Sequence, residues 1–385
     1  MRLQSAIARA RANGNEATRC PCSVFGSTMV LLTVALASQA CGVPTEKPPP
    51  RYLEETTLVP DLVLDGPELY KPTSVAVDGG GRIHVLDAGN YRLNTYSSSG
   101  KLMAQRGRRG EGPEEFPLLQ EGQSEVAVRD STAVVMMPGP QRLLVWDLSM
   151  EVASTFRVGA RPRSLAFDGS TIYLTVDSAG APDVTGSVSA YSLDGTLLAE
   201  FGERFRPEWN DPSTHRLVRL QNWSMIAVSP RGLLFEIGRW WPWLRAYSER
   251  TQRWEKWLDF SWLRNPARRE FFGRPRTELA ELSFAAIQED RSKSSPRIFD
   301  LAASDQAVFA LLGTSGNVQV FNHDGSPTAN YRLFPADVDP EAASDLKPLP
   351  TPQAMAFGVN PDGSRLCTAS FHTARVLCYD LDLGG

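Results

Sequence analysis

Histidine is scarce in this sequence, with four residues among 385, at positions 84, 215, 323 and 372. The chain contains no His-x-x-x-His or Glu-x-x-His pair, and it lacks the Gly-x-Ser-x-Gly signature of serine hydrolases. The four histidines fall in different predicted elements, so at most two could share one surface. We therefore expect no cofactor. Ca²⁺ bound by loop carboxylates such as Asp87 and Asp177 is an unsupported alternative, because aspartate more commonly caps a hairpin.

Long apolar runs and an excess of basic residues are also missing. No stretch approaches the roughly 20 apolar residues that a membrane-spanning helix needs. The formal net charge is −4, which disfavours nucleic acid as a partner. Hydrophobic residues make up 42% of the chain, and this content excludes a largely disordered protein.

The first 40 residues have the organisation of a signal peptide. Four arginines precede an apolar run at 29–37, and Ser38-Gln39-Ala40-Cys41 follows. A basic region, a short apolar core and a small-residue cleavage site are typical of export. Cys41 resembles the lipid-attachment residue of bacterial lipoproteins, although Ser38 stands where that motif usually has leucine. Cleavage by an ordinary signal peptidase, which would release a soluble secreted chain, is the alternative.

Residues 41–51 contain Pro44 and the run 48–50 of three prolines, which predicts an extended tether. We expect a lipidated Cys41, a Pro-rich tether and a domain at 52–385. The protein would then be anchored in a membrane of the cell envelope and face the periplasm or the exterior.

One short phrase with a central alanine recurs through this domain. The spacing between successive central alanines is irregular, at 51, 39, 61, 75 and 54 residues, as expected for blades with variable loops. The six copies are Val75-Ala76-Val77, Val126-Ala127-Val128, Leu165-Ala166-Phe167, Ile226-Ala227-Val228, Leu301-Ala302-Ala303 and Met355-Ala356-Phe357.

The first copy begins a unit of four predicted strands, at 72–78, 82–86, 93–96 and 101–105, separated by Gly-rich turns. Later units keep Asp-Gly turns at 168, 194, 324 and 362, which supply the positive φ of tight hairpins. Such units are typical of the blades of a β-propeller. The sixth unit has only three strands, and the segment 56–64 has strand composition without a partner. If this N-terminal strand completes the sixth unit, the sequence predicts an all-β, six-bladed β-propeller closed by an N-terminal strand.

Two insertions depart from the blade pattern, at about 201–220 and 259–296. The stretch 277–288 within the second has helical spacing, so we expect a short helical insertion between blades four and five.

The first blade resembles the NHL-repeat family of six-bladed propellers. The matching residues are Pro72-x-x-Val75-Ala76-Val77-Asp78, Ile83-x-Val85-x-Asp87-x-Gly89-Asn90-x-Arg92-Leu93 and Gly107-x-x-Gly110-x-Gly112-Pro113-x-x-Phe116. Later blades keep parts of the pattern, such as Arg142 and Arg375. The resemblance implies an exported lipoprotein or secreted binding protein, whereas a minority of such relatives are enzymes with a metal near the central channel.

Cys367 and Cys378 lie on consecutive predicted strands of one hairpin, in a protein expected to reach an oxidising compartment. A cross-strand disulfide between them and a pair of buried thiols are both open interpretations.

Eight of the nine tryptophans fall between residues 209 and 262, and the region 204–297 has 18 Lys and Arg against 11 Asp and Glu. In a propeller, loops between second and third strands share a surface with the connections between blades. The candidate ligand or partner face is therefore Arg239, Trp240, Trp241, Trp243 and Arg245, where aromatic stacking and charged hydrogen bonds could bind an acidic, sugar-like or peptide ligand. Packing of the insertions onto the blade is the alternative role for most of these tryptophans.

These observations favour a binding or scaffolding module at the cell envelope, most simply monomeric, with an unidentified protein, peptide or glycan ligand and a lipid anchor in the membrane. No catalytic residue emerges from the sequence. The alternative is a metal-supported hydrolase or lyase, similar to lactonases, with its site at the mouth of the propeller channel.

Overall fold

A computed structural model describes residues 53, 55–120, 123–149, 152–176, 186–202, 222–239, 244–248, 253–255, 298–312, 317–334, 356–370 and 372–383. This part of the chain contains strands and turns but no helix, and hence no helix able to span a membrane. Its strands form six sheets of four or five strands, which are the blades of a propeller. The predicted all-β, six-bladed fold is confirmed. The predicted helix at 277–288, the signal peptide at 1–40 and the tether at 41–51 lie outside the described residues.

Two short strands precede the first blade, and a two-stranded parallel ladder separates the first blade from the second. Each complete blade is an antiparallel meander. The strands as far as the second blade are β1 (Glu55–Leu58), β2 (Leu62–Leu64), β3 (Pro72–Val77), β4 (Ile83–Asp87), β5 (Arg92–Tyr96), β6 (Leu102–Arg106), β7 (Arg108–Arg109), β8 (Glu115–Phe116), β9 (Glu125–Arg129), β10 (Thr132–Met137), β11 (Arg142–Asp147) and β12 (Val152–Arg157).

The remaining four blades repeat this order. Their strands are β13 (Pro162–Phe167), β14 (Thr171–Val176), β15 (Val188–Ser192), β16 (Leu197–Phe201), β17 (Ser224–Val228), β18 (Leu234–Gly238), β19 (Leu244–Ser248), β20 (Arg253–Glu255), β21 (Ile298–Ala303), β22 (Ala307–Leu312), β23 (Asn317–Asn322), β24 (Pro327–Leu333), β25 (Ala356–Val359), β26 (Arg365–Ser370) and β27 (Arg375–Asp380).

The turn chemistry of the sequence matches the backbone. The four Asp-Gly turns have positive φ at Gly169, Gly195, Gly325 and Gly363, as predicted. A second shared feature is the residue before the arginine that starts β5, β11 and β27. Tyr91, Gln141 and Ala374 all adopt φ between 52° and 56° there. Three blades therefore use the same left-handed turn between their second and third strands.

Six apolar clusters hold the ring together, one at each junction between neighbouring blades. At the junction of the sixth and first blades, Val75 and Ile83 pack with Val376 and with Leu64 of β2. Because both faces of a blade pack against neighbours, the second strands are buried on both sides, and all five residues of β4 are buried. Burial of these faces on folding is the main term that stabilises such a ring.

Ring closure uses the N-terminal segment in two places rather than one. The predicted single strand at 56–64 is divided by a break at residues 59–61. Its second half, β2, pairs antiparallel with β27 and completes the sixth blade as expected. Its first half, β1, instead pairs parallel with β24 and adds a fifth strand to the fifth blade. One segment thus bridges two blades.

The repeated phrase is correctly placed in five blades and displaced by two residues in the sixth. Val359 pairs with Leu366 as Val77 pairs with Ile83, so the sixth phrase is Phe357-Gly358-Val359 rather than Met355-Ala356-Phe357. A shift of two residues returns every side chain to the same side of a strand, so the alternation of the sequence does not reveal it.

Cys367 and Cys378 face each other across β26 and β27 and form a disulfide in the structure. The disulfide therefore links two neighbouring strands of the sixth blade, which is the blade that β2 completes.

Candidate functional site

The first strand of every blade lines a central channel of about 120 Å³. The central alanines of the first five phrases line it, and Gly358 takes their place in the sixth blade. A Cβ atom at Gly358 would lie 2.6 Å from the carbonyl oxygen of Val75 and 2.9 Å from the Cα of Ala76. Glycine is therefore required where the sixth blade meets the first.

A hydrogen-bond relay runs around one end of this channel. In four blades, the side chain of the residue two before the central alanine accepts a hydrogen bond from a backbone amide of the next blade. Ser74 accepts from Val126 N at 3.1 Å, and Ser164 accepts from Ile226 N at 3.1 Å. The same position is acidic in two other blades. Glu125 accepts from Leu165 N at 2.7 Å, and Asp300 accepts from Phe357 N at 2.9 Å.

Glu125 and Asp300 belong to the second and fifth blades, which stand on opposite sides of a six-membered ring. Both line the channel and a smaller cavity at its end. We call this end the channel mouth and define it by Gln123, Glu125, Arg163, Trp223, Arg239 and Asp300. It lies where the first strands begin, on the side of the connections between blades.

The two carboxyl groups of the mouth have raised pKa values. Burial raises the pKa of Asp300 to about 7, although hydrogen bonds from the Phe357 and Leu301 amides and the charge of Arg239 oppose the rise. Burial also raises the pKa of Glu125 well above its ordinary value, and repulsion by Asp300 adds to this effect. The Leu165 amide and Arg239 act in the opposite direction. At neutral pH the pair therefore retains a proton.

Arg239 is held at the mouth by its own backbone. Its amide donates to the Trp223 carbonyl at 2.9 Å, and its carbonyl accepts from Ile298 N at 3.3 Å, so the residue joins the fourth blade to the fifth. The guanidinium carbon lies 4.2 Å from the centre of the Trp223 ring. Arg163 of the third blade lies 4.6 Å from the same ring centre. One indole thus supports two cations beside the carboxyl pair.

The predicted ligand face divides between two locations. Arg239 lies at the channel mouth, whereas Trp240, Trp241 and Trp243 lie outside the described residues. Arg245 is 5% exposed, and its guanidinium contacts Glu236 within the fourth blade. We therefore assign Arg245 to the interior and keep Arg239 as the described residue of the site.

Asp87, considered above as a Ca²⁺ ligand, caps the loop between β4 and β5. It accepts hydrogen bonds from the amides of Tyr70, Lys71, Gly89 and Asn90 and from the Asn90 side chain. These donors occupy both carboxylate oxygens and account for the Asp-x-Gly-Asn pattern. Asp177 lies outside the described residues.

The histidines within the described residues do not converge. His84 is completely buried between Asp78 and Thr95, each at 3.2 Å from a ring nitrogen. His323 contacts the Ser304 carbonyl at 3.1 Å. The described part of the chain contains no group of three or more His, Cys, Asp or Glu arranged to hold a metal ion.

Sequence reasoning missed Glu125, Arg163, Trp223 and Asp300 as members of one site. A signal for the two acids was present, because each occupies the position before a repeated phrase where Ser74 and Ser164 stand in other blades. Acidic residues at one repeat position of opposite blades predict two carboxylates across one channel. The positions of Arg163 and Trp223 beside them carry no comparable signal.

Comparisons with known proteins leave the family open. No family model matches the sequence, and no curated protein matches it. The resemblance of the first blade to NHL repeats therefore stays a prediction.

Several solved structures align over most of the chain. A chain from the crystal structure of a mitotic checkpoint complex has 12% identity, a TM-score of 0.47 and coverage of 94% of this chain and 99% of that one. Virginiamycin B lyase from Staphylococcus aureus has 10% identity, a TM-score of 0.45 and 80% coverage of both chains. A catalytically inactive form of that lyase with quinupristin has 9% identity, a TM-score of 0.47 and coverage of 84% and 88%. At these values the likenesses carry no inference about activity, and the fold rests on the strand pairing described above.

Proposed function

We propose that the protein is an exported, membrane-anchored β-propeller that binds a ligand or protein partner at the cell envelope through its channel mouth. The observation that carries this proposal is the placement of Arg239 and Arg163 on Trp223, next to Glu125 and Asp300. Guanidinium, indole and carboxyl groups together supply charge, stacking and directional hydrogen bonds, which are the interactions that specific binding requires.

The frame around the mouth supports a binding role. The groups at the mouth come from the second to fifth blades, and the relay of amide hydrogen bonds fixes the two acids relative to the strands. A rigid scaffold that presents polar groups reduces the entropy lost on binding. The sequence adds the Trp-rich, basic region around the fourth blade, and the features of residues 1–51 support export and a lipid anchor at Cys41.

Site-specific photo-cross-linking of the full-length protein in its native host tests the proposal. A photoreactive residue replaces Gln123 at the mouth or, as the matched control, Lys101 in a turn at the opposite end of the first blade. We expect a discrete adduct from position 123 that is absent from position 101 and is lost in Arg239→Gln. Equal labelling from both positions, or an adduct that persists in Arg239→Gln, would refute the assignment of the mouth as the binding site.

One observation favours the alternative of a metal-supported hydrolase or lyase, namely that two carboxyl groups face one channel mouth. Arg239 at the same mouth repels a metal cation, so we rank this function second. Elemental analysis of the purified protein separates the two. Stoichiometric metal that disappears in a Glu125→Gln, Asp300→Asn double variant would support the enzyme.

A further inference from the structure

We propose that the channel mouth recognises an oxyanion, a carboxylate or phosphate group at the end of a larger ligand, with Arg239 as its charged partner and the Glu125–Asp300 pair as a proton-dependent gate. This inference rests on the proposed function and names the chemical class of its ligand.

The first argument is the geometry of the cations. Arg239 and Arg163 come from different blades, yet their guanidinium carbons lie 4.2 Å and 4.6 Å from the centre of one indole. Contact with Trp223 holds each guanidinium beside the ring, and a guanidinium matches the two oxygens of a carboxylate or phosphate. Phe299 adds a further aromatic contact, at 5.7 Å from Arg239. The mouth therefore brings two guanidinium groups together around one indole.

The second argument is the charge balance among the described residues. The charged groups around Asp300 are Glu125 of β9, Arg163 of β13 and Arg239 after β18. Arg161 stands one layer further out, where it donates to Gln120 and Gln123. Because the carboxyl pair retains a proton at neutral pH, the two arginines at the mouth exceed the remaining negative charge, and the local excess is positive. A protonated carboxyl group can also donate a hydrogen bond to a bound oxygen.

The third argument is size. The cavity at the mouth is about 10 Å³, which is roughly the space of one water-sized group. Below it the channel is lined by strand backbone, five alanines and Gly358. One oxygen of a ligand can enter this cavity, while the rest of the ligand must stay outside it. A terminal oxyanion fits this space, whereas a sugar ring or an aromatic ring does not.

These arguments predict that binding depends on pH. An oxyanion approaching the mouth is attracted by Arg239 and repelled by ionised Asp300 and Glu125. Raising the pH through about 7 ionises Asp300, so affinity should fall as the pH rises. If one proton must be bound for the ligand to enter, the limiting slope is about tenfold in affinity per pH unit.

Two-dimensional NMR of the ¹⁵N-labelled full-length protein, with the Trp223 indole and Arg239 Nε resonances as readouts, tests the inference. Acetate and inorganic phosphate are the probes, and chloride at equal ionic strength is the control anion. We expect saturable shifts of both resonances at pH 6 and about tenfold weaker binding per unit above pH 7. Tighter binding of acetate would identify a carboxylate source, and tighter binding of phosphate would identify a phosphorylated one; either supports the inference.

Three variants sharpen the test. Arg239→Gln should abolish the shifts of Trp223. Asp300→Asn keeps an acceptor for the Phe357 amide but cannot ionise, so it should bind at pH 8 nearly as well as at pH 6. Arg108→Gln removes an exposed arginine that pairs with Glu115 and does not line the mouth, and it should change nothing. Circular dichroism confirms that each variant is folded.

The inference is overturned if the wild-type protein shows no saturable shift at pH 6, if Arg239→Gln binds like wild type, or if the Asp300→Asn variant keeps the full pH dependence. These outcomes differ from failure of the proposed function. A mouth that binds acetate but cross-links to no partner would refute the envelope role alone, whereas a cross-linked partner without oxyanion binding would refute only the ligand class.

Discussion

Arg245 and Glu236 form a buried ion pair inside the fourth blade. Arg245 Nε donates to Glu236 Oε2 at 2.7 Å, and the two side chains are 5% and 1% exposed. Ser224 donates to the other carboxylate oxygen at 2.6 Å. Ser187 of the third blade contacts both partners, so the pair also joins two blades. An arginine that the sequence places beside a Trp-rich loop therefore has an interior role.

Replacing Glu236 by glutamine should leave the charge of Arg245 buried and uncompensated. We expect a loss of about 3–5 kcal/mol in the free energy of unfolding, measured by urea denaturation. The matched control is Asp305→Asn, which neutralises the acid of an exposed pair with Arg231 at 3.7 Å and should cost less than about 1 kcal/mol. Similar effects of the two substitutions would show that the buried pair contributes no more than a surface one.

Gly358→Ala should destabilise the ring at its closing junction. The added methyl group would meet the backbone of Val75 and Ala76 at distances that neighbouring strands must open to accommodate. We expect a loss of about 1–3 kcal/mol, typical of overpacking, seen as a lower melting temperature. Gly159→Ala is the control, because a Cβ there meets nothing within 4 Å and the substitution should be neutral or slightly stabilising. Equal stability of the two variants would contradict the close approach of the blades.

Asp300→Asn should alter the pH dependence of stability. Since folding raises the pKa of Asp300 from 3.8 to about 7, the folded state binds more protons than the unfolded state in this window. The contribution of protonated Asp300 to the free energy of unfolding is therefore fully present below about pH 4. It is lost as the pH rises through 7. Relative to wild type, the variant should therefore gain stability as the pH rises over this range.

For the control variant of this experiment, we expect relative stability to change with pH in the opposite direction. Asp362 lies in an exposed turn, where hydrogen bonds from Ser364 hold the pKa of its carboxyl below the ordinary value. The small contribution of ionised Asp362 to the free energy of unfolding is present at neutral pH and is lost on acidification. Asp362→Asn should therefore lose relative stability as the pH rises through the acid range, and it should change little between pH 4 and pH 8. A gain by Asp362→Asn in chemical denaturation between pH 4 and pH 8 that matches the gain by Asp300→Asn would contradict the assignment for Asp300.

Cys41→Ser should release the protein from the membrane. If Cys41 receives a lipid, wild-type protein incorporates a labelled fatty acid and sediments with membranes, and the variant does neither. Cys22→Ser lies within the predicted signal peptide and should leave both readouts unchanged. Mass spectrometry of the mature N-terminus completes the test. An unmodified Cys41 at the N-terminus of a soluble wild-type protein would instead establish release by an ordinary signal peptidase.

The blades were predictable because their signals are local. Period-two alternation, Asp-Gly turns and the repeated phrase each lie within a few residues, and they identified six blades and the segment that completes the sixth. The same locality explains the two errors of detail. A shift of two residues in the sixth phrase leaves the alternation unchanged, and a break at residues 59–61 is too short to mark where one strand becomes two.

The sequence by itself determined the strand pattern, the turns and the number of blades, because hydrophobic alternation and turn residues act over short distances. Only the tertiary structure decided which side chains meet. Glu125 and Asp300 are separated by more than a hundred residues, yet ring closure places them across one mouth, where burial raises both pKa values and repulsion by Asp300 raises that of Glu125 further. Arg239 and Arg245 stand six residues apart in one basic region. Arg239 follows the last residue of β18 and lines the mouth, whereas Arg245 belongs to β19 and is buried inside the fourth blade. The two arginines reach different environments because only Arg245 lies within a strand.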